Sequence, residues 1–195
     1  MDKKGLEVKD LINAGLFSIL LTALYWCGGM IGFIPVLMPI VPFVGALVSA
    51  PVFMLYSTKI KKFGMVLILG IVVGLVFMMS GHGPYVLPGT VVTALISEYI
   101  IKSGNYKSIK KARLAYTVFA VFAGFNLIPI FFAREAYIKQ IIAMGYPKEF
   151  VNKMLSVMPT WSFIPIVLMG CLGGYIGATF GIKMLNKHFK RANMI

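Results

Sequence analysis

Few side chains in this sequence can do chemistry, and they stand far apart. Six acids, two histidines and two cysteines are spread over 195 residues. Of the acids, only Glu98 falls inside an apolar stretch, and no HExxH, GxSxG, paired aspartates or Walker phosphate loop is present. Acid–base and nucleophilic catalysis need at least two such groups converging on one point. The expectation is a protein that is not an enzyme and carries no resident cofactor. Cys27 and Cys171 sit in apolar segments at a spacing that suits no metal, and they read as small packing residues. Glu98 precedes Lys102 by four residues, the spacing of an ion pair on one helix face. A docking contact for a partner is the other reading of that glutamate.

The histidine that stands apart is His82, in the stretch MSGHGPYVLPG at 79–89. Gly81, Gly83 and Pro84 end one apolar segment and begin the next, so the imidazole belongs to a turn. Three readings are open: a solvated turn residue, a hydrogen bond to a ligand, or axial ligation of a metal. A lone imidazole can hold a haem iron, so a metal role arises only if the ligand is haem. Trp26, Tyr85 and Trp161 are aromatic-belt residues or ligand contacts. Asn126 is a bare amide about two turns inside an apolar segment, and it needs a partner on a neighbouring helix or on a ligand. Arg134, at the end of that segment, suits a lipid headgroup or an anionic ligand. The candidate binding set is therefore His82, Tyr85, Asn126, Arg134, Trp161 and Trp26.

The elements that must position these residues are membrane spans. With 59% hydrophobic and 13% charged residues, the chain is far more apolar than a soluble domain. Six segments of roughly 20 residues, the length that crosses a bilayer as helix, fall at 11–33, 36–58, 63–81, 84–103, 112–133 and 159–186. They read as one all-α, six-helix membrane domain over 1–195. The polar start MDKKGLEVKD is followed by a long apolar segment without a small-x-small cleavage site, so that segment is read as retained.

The net charge is +13. No nucleic-acid-reading motif accompanies it, and the basic residues fall in short loops, where they set topology. With the N-terminus in the cytoplasm, fifteen Lys and Arg fall on the cytoplasmic side, beginning with Lys3, Lys4 and Lys9, and four fall outside: Arg134, Lys139, Lys148 and Lys153. That asymmetry predicts both termini inside. It also places three connections outside. The first, CGGMIGFIPVLMPIVPF, is uncharged, and Pro35, Pro39 and Pro42 forbid a straight helix. Such a segment must be buried in protein or line a cavity. The second holds His82. The third, 134–158, has apolar positions at helical spacing, which predicts two amphipathic helices broken at GYP.

Small residues recur at every fourth position. Gly173, Gly177 and Gly181, and likewise Gly70 and Gly74, are spaced for close helix packing in lipid. Ala14, Ser18 and Thr22 form a similar stripe, which faces either a sister helix or a separate protein.

Two stretches, ISEYIIKSGNYKSIKKARLAYTVFAVFAGF at 96–125 and GGYIGATFGIKMLNKHFKRANMI at 173–195, resemble the Trep_Strep (MptS-type) family. With the short span pairs and the Gly/Pro-rich first loop, they resemble substrate-binding S-components of energy-coupling factor (ECF) transporters. The resemblance implies capture of a scarce nutrient, vitamin-like or haem, at the outer face. It also implies docking on a transmembrane coupling protein driven by two cytoplasmic ATPases, then toppling to release the substrate inward. In that superfamily an Ala-x-x-x-Ala stripe on helix one meets the coupling protein. The matching positions are Ala14 and Ser18, with serine replacing the second alanine and Thr22 extending the stripe. A self-sufficient carrier or channel, and a non-transport scaffold subunit, are the competing expectations. The lipid bilayer and a small molecule are the other partners expected, and nucleic acid is not.

Overall fold

The computed structural model describes residues 5–191, so Lys3 and Lys4 of the first basic cluster lie outside the described residues. Secondary structure among them is helical throughout. Helix α1 spans Val8–Gly29 and α2 spans Val41–Ser57. The proline-rich stretch between them forms two tight turns of 3-10 helix, Met30–Phe33 and Pro35–Ile40. Helix α3 spans Met65–Phe77 and passes into a wide turn, Met78–His82, that ends where Gly81 takes φ +93°. Helix α4 follows at Val86–Ser103.

The fifth segment, expected as one span over 112–133, is broken. It runs as α5 (Ile109–Phe119), α6 (Phe122–Phe125) and α7 (Ile128–Phe132). Pro129 sits in the first turn of α7, where its missing N–H costs least, and it forbids a continuous ladder from α6. The two amphipathic helices of the third connection are α8 (Arg134–Ala143) and α9 (Lys148–Val157), parted where Gly145 takes φ +92°. The long α10 (Phe163–Met184) and the short α11 (Asn186–Arg191) complete the chain. Five helical stretches are long and apolar enough to cross a membrane: Val8–Phe33, Pro35–Ser57, Met65–His82, Val86–Ser103 and Thr160–Met184.

These elements close into a ring. Helix α1 packs on α2 and α3, α3 on α4, α4 on α5, α5 on α10, and α10 back on α2. The broken fifth segment is thus the sixth stave. Glycines set the seams. A Cβ at Gly177 would lie 2.7 Å from the Leu47 carbonyl oxygen of α2, and one at Gly173 would overlap the Phe43 carbonyl. Gly70 and Gly74 let α3 approach Ala94, Leu87 and Thr90 of α4 in the same way. Lipid tails are as apolar as the core, so close van der Waals contact of this kind, rather than water exclusion, holds such staves together. The ring is filled by an aromatic stack of Phe53, Tyr56, Tyr116, Phe119, Phe122 and Tyr25, with neighbouring centroids 4.9–6.5 Å apart. Outward faces of α1, α4 and α10 present Leu16, Ile19, Val92, Ile96, Leu168 and Phe180, the lipid-facing belt such a ring requires.

Most polar groups inside the ring meet backbone, although Thr22 Oγ1 and Glu98 Oε1 are buried without a hydrogen-bond partner. Glu98, fully buried, does not pair with Lys102. Its Oε2 accepts from the N–H groups of Val66 (2.7 Å) and Leu67 (3.0 Å), the orphan donors at the start of α3. Lys102 instead lies over the Phe63 ring, 5.0 Å from its centroid. At the same end Lys62 reaches Glu7 (3.0 Å) and Asp10 (2.9 Å), tying the start of α1 to the α2–α3 connection. The hydrogen bond to Asp10 holds the Lys62 ammonium above its usual range.

Candidate ligand-binding site

The opposite end of the ring holds a cavity of about 340 Å³. Its walls are the last turn of α1 (Tyr25, Trp26), the proline-rich connection (Phe33, Met38), the end of α3 with its wide turn (Phe77, Ser80, His82) and the break in the fifth stave (Asn126, Leu127). Its roof is α8 and α9, which contribute Tyr137, Ile141, Met144, Tyr146 and Phe150. The uncharged first connection therefore lines a cavity, as its sequence requires. The roof packs through its own small apolar cluster, Ile141, Val151 and Met154 against Leu127, Ile130 and Ile166. One hydrogen bond fastens it to the wide turn: Gln140 Nε2 donates to the Gly81 carbonyl at 2.9 Å.

Of the six candidate binding residues, Trp26, His82 and Asn126 line this cavity, and Tyr85, Arg134 and Trp161 do not. Tyr85 and Trp161 are 49% and 74% exposed and suit the aromatic belt. Arg134 is turned to the end of α9, where its Nη2 donates to the carbonyls of Leu155 (3.2 Å) and Met158 (3.4 Å). A guanidinium there caps the helix end: it shares the Leu155 carbonyl with the Met158 N–H and adds a donor to the Met158 carbonyl, so Arg134 is turned to the roof's own backbone and does not line the cavity. Sequence reasoning missed Tyr137 and Tyr146. Tyr137 is legible as part of an amphipathic face and Tyr146 as part of the GYP break, but neither pattern says that these two residues line a cavity. Burial pushes the Tyr137 phenol up to about 12, which keeps it a neutral hydroxyl.

The presumed docking stripe is also placed differently. Ala14, Ser18 and Thr22 are 0%, 0% and 3% exposed, inside the ring. The Ser18 hydroxyl donates to the Ala14 carbonyl at 2.6 Å and lies 3.3 Å from the Leu69 carbonyl of α3. The stripe is buried within the ring, with Ser18 against α3, and the opposite face of α1 is the exposed one, carrying Leu16 and Leu20. On the flank between these two faces Gly15 has open space around it, with nothing within 4 Å of a Cβ.

Two polar groups in the cavity wall define what it can do. Asn126, 6% exposed, sits between α6 and α7, and its buried Oδ1 has no hydrogen-bond partner. Nearly every buried polar atom in a protein has a partner. Thr22 Oγ1 and Glu98 Oε1 also lack one, but of the three residues Asn126 is the one that lines the cavity, where a ligand donor can meet it. The Ser80 hydroxyl donates to the Phe77 carbonyl at 2.9 Å and lies 3.2 Å from His82 Nδ1. With its one proton so placed, Ser80 is met by the His82 tautomer protonated at Nδ1, and that tautomer presents Nε2 as an acceptor. No group of three or more His, Cys, Asp or Glu that could hold a metal occurs among the described residues.

The sequence of these elements matches one family throughout, from residue 8 to residue 191. The chain belongs to the Trep_Strep family. That family is described as hypothetical bacterial integral membrane proteins, and the five long apolar stretches make this chain a multi-pass protein of a bacterial membrane. No curated protein and no solved structure matches it.

Proposed function

We propose that this Trep_Strep protein is the substrate-binding S-component of an ECF-type importer. On this reading six staves span the membrane with both termini inside, and the cavity faces out. It captures a scarce small nutrient there. The coupling protein and its two ATPases then tilt the loaded chain to deliver the nutrient inward. The observation that carries the reading is the unpartnered Asn126 oxygen at a helix break, inside a roofed aromatic cavity. Interrupted helices at membrane depth place polar groups on a substrate in other transporters too. A cavity of about 340 Å³ lies at the small end of the roughly 300–1,000 Å³ typical of ligand sites. It favours a compact vitamin-like molecule over haem.

A self-sufficient carrier is less well supported. Carriers driven by ions place an ionisable group on the pathway, whereas Glu98 caps α3 through Oε2 and neither it nor Asp10 lines the cavity. Energy must then come from partners. The test is uptake of small molecules from rich medium by cells expressing the chain with and without an ECF coupling module. Accumulation only with the module is the expected result. Accumulation by the chain alone in liposomes would overturn it.

A further inference from the structure

Building on the binding reading above, we infer that the cavity selects an uncharged, flat ring molecule bearing at least two N–H or O–H donors. Asn126 and His82 are the residues that recognise it. Charge is the first consideration. Among the described residues, no Asp, Glu, Lys or Arg lines the cavity. Arg134, at the start of the roof, is turned to the carbonyls of Leu155 and Met158. An ion moved into such a place without a counter-charge loses its hydration with nothing in return. A carboxylate, a phosphate or a porphyrin with its propionates would meet that penalty.

Hydrogen-bonding sense is the second consideration. The Asn126 oxygen is buried and unpartnered. The amide turns about a broad terminal torsion, so a ligand entering from the cavity can draw that oxygen toward it. The Ser80 contacts leave His82 with an acceptor at Nε2. Both groups call for donors on the ligand. Shape is the third. Tyr25, Trp26 and Phe77 form one wall, with Trp26 and Phe77 5.8 Å apart at 68°, and Tyr137 and Phe150 lie in the roof. Aromatic faces on two sides favour a planar ring.

The full chain, purified in mild detergent, would be incubated with the small-molecule filtrate of yeast extract and washed, and the retained molecules identified by mass spectrometry. Asn126→Leu and His82→Phe would be run beside the wild type, each checked for monodispersity. The expected retained species is a ring compound, neutral at pH 7, with N–H or O–H donors. Its retention should fall about tenfold or more in each variant, the effect of removing one buried hydrogen-bond partner. Retention of an anion would overturn the charge assignment and leave the binding reading standing. Equal retention by both variants would overturn the roles of Asn126 and His82. Retention of nothing by the wild type would overturn the binding reading and this inference with it. If a variant aggregates, the chemistry of the molecule held by the wild type still decides the question of charge.

Discussion

Asn126 and Glu98 are both polar residues buried in apolar surroundings, yet they stand for opposite solutions. One oxygen of Glu98 is matched to two backbone N–H groups of α3 while its other oxygen is left without a partner away from the cavity, and Asn126 leaves its oxygen unmatched in a residue that lines the cavity. Their substitutions should therefore separate stability from function. Glu98→Ala strands two helix-start donors and should cost about 1–3 kcal/mol, read as a lower Tm in detergent with the cavity's chemistry unchanged. Asn126→Leu removes an unmatched oxygen and should leave the ligand-free Tm equal or higher while ligand binding falls. If both variants lost stability equally, Asn126 would be a structural residue. Sequence singled out Asn126 because a lone amide in a greasy segment is conspicuous. It could not foresee the cap made by Glu98, because the donors that glutamate meets lie on another helix. Arg134 misled for the same reason: its partners are backbone carbonyls, which leave no mark in the side-chain pattern.

At the scale of elements, hydropathy located five of the six expected spans to within a few residues but not the breaks within 112–133, and GYP located the break between α8 and α9. The facing of the spans was another matter. A helix in lipid is apolar on its inward and outward sides alike, so the periodicity that orients a soluble helix is absent. The small residues were the remaining guide, and they mark close contact without saying with what. Gly173 and Gly177 meet α2. Ala14 and Ser18 are buried within the chain, with Ser18 against α3. Bulky residues at these seams should act on folding: Gly177→Leu would drive a side chain into α2 and should cost about 1–3 kcal/mol or more, measured as loss of monodisperse protein. Docking is better tested on the outward face of α1. Gly15→Phe and Ala23→Trp should leave Tm and ligand binding at wild-type values and reduce module-dependent uptake. Wild-type uptake by both would remove α1 from the docking surface. The roof is tested by Arg134→Ala, which loses two carbonyl contacts of α9. It should speed ligand release with little effect on global Tm, as followed by dissociation kinetics.

The whole molecule is two parts of unequal build. Six staves share seams at which glycines bring backbones into contact, around a continuous aromatic filling. Above them the roof is two ten-residue helices with a separate apolar cluster and a single side-chain hydrogen bond to the turn at Gly81. Such a difference would be visible in deuterated buffer. Amides of α8 and α9 should exchange through openings that leave the ring intact, and those of α2 and α10 only when the ring itself comes apart. A bound nutrient would slow the first class and not the second. The time course of exchange, read segment by segment, would then report occupancy of the cavity even before the occupant had been named.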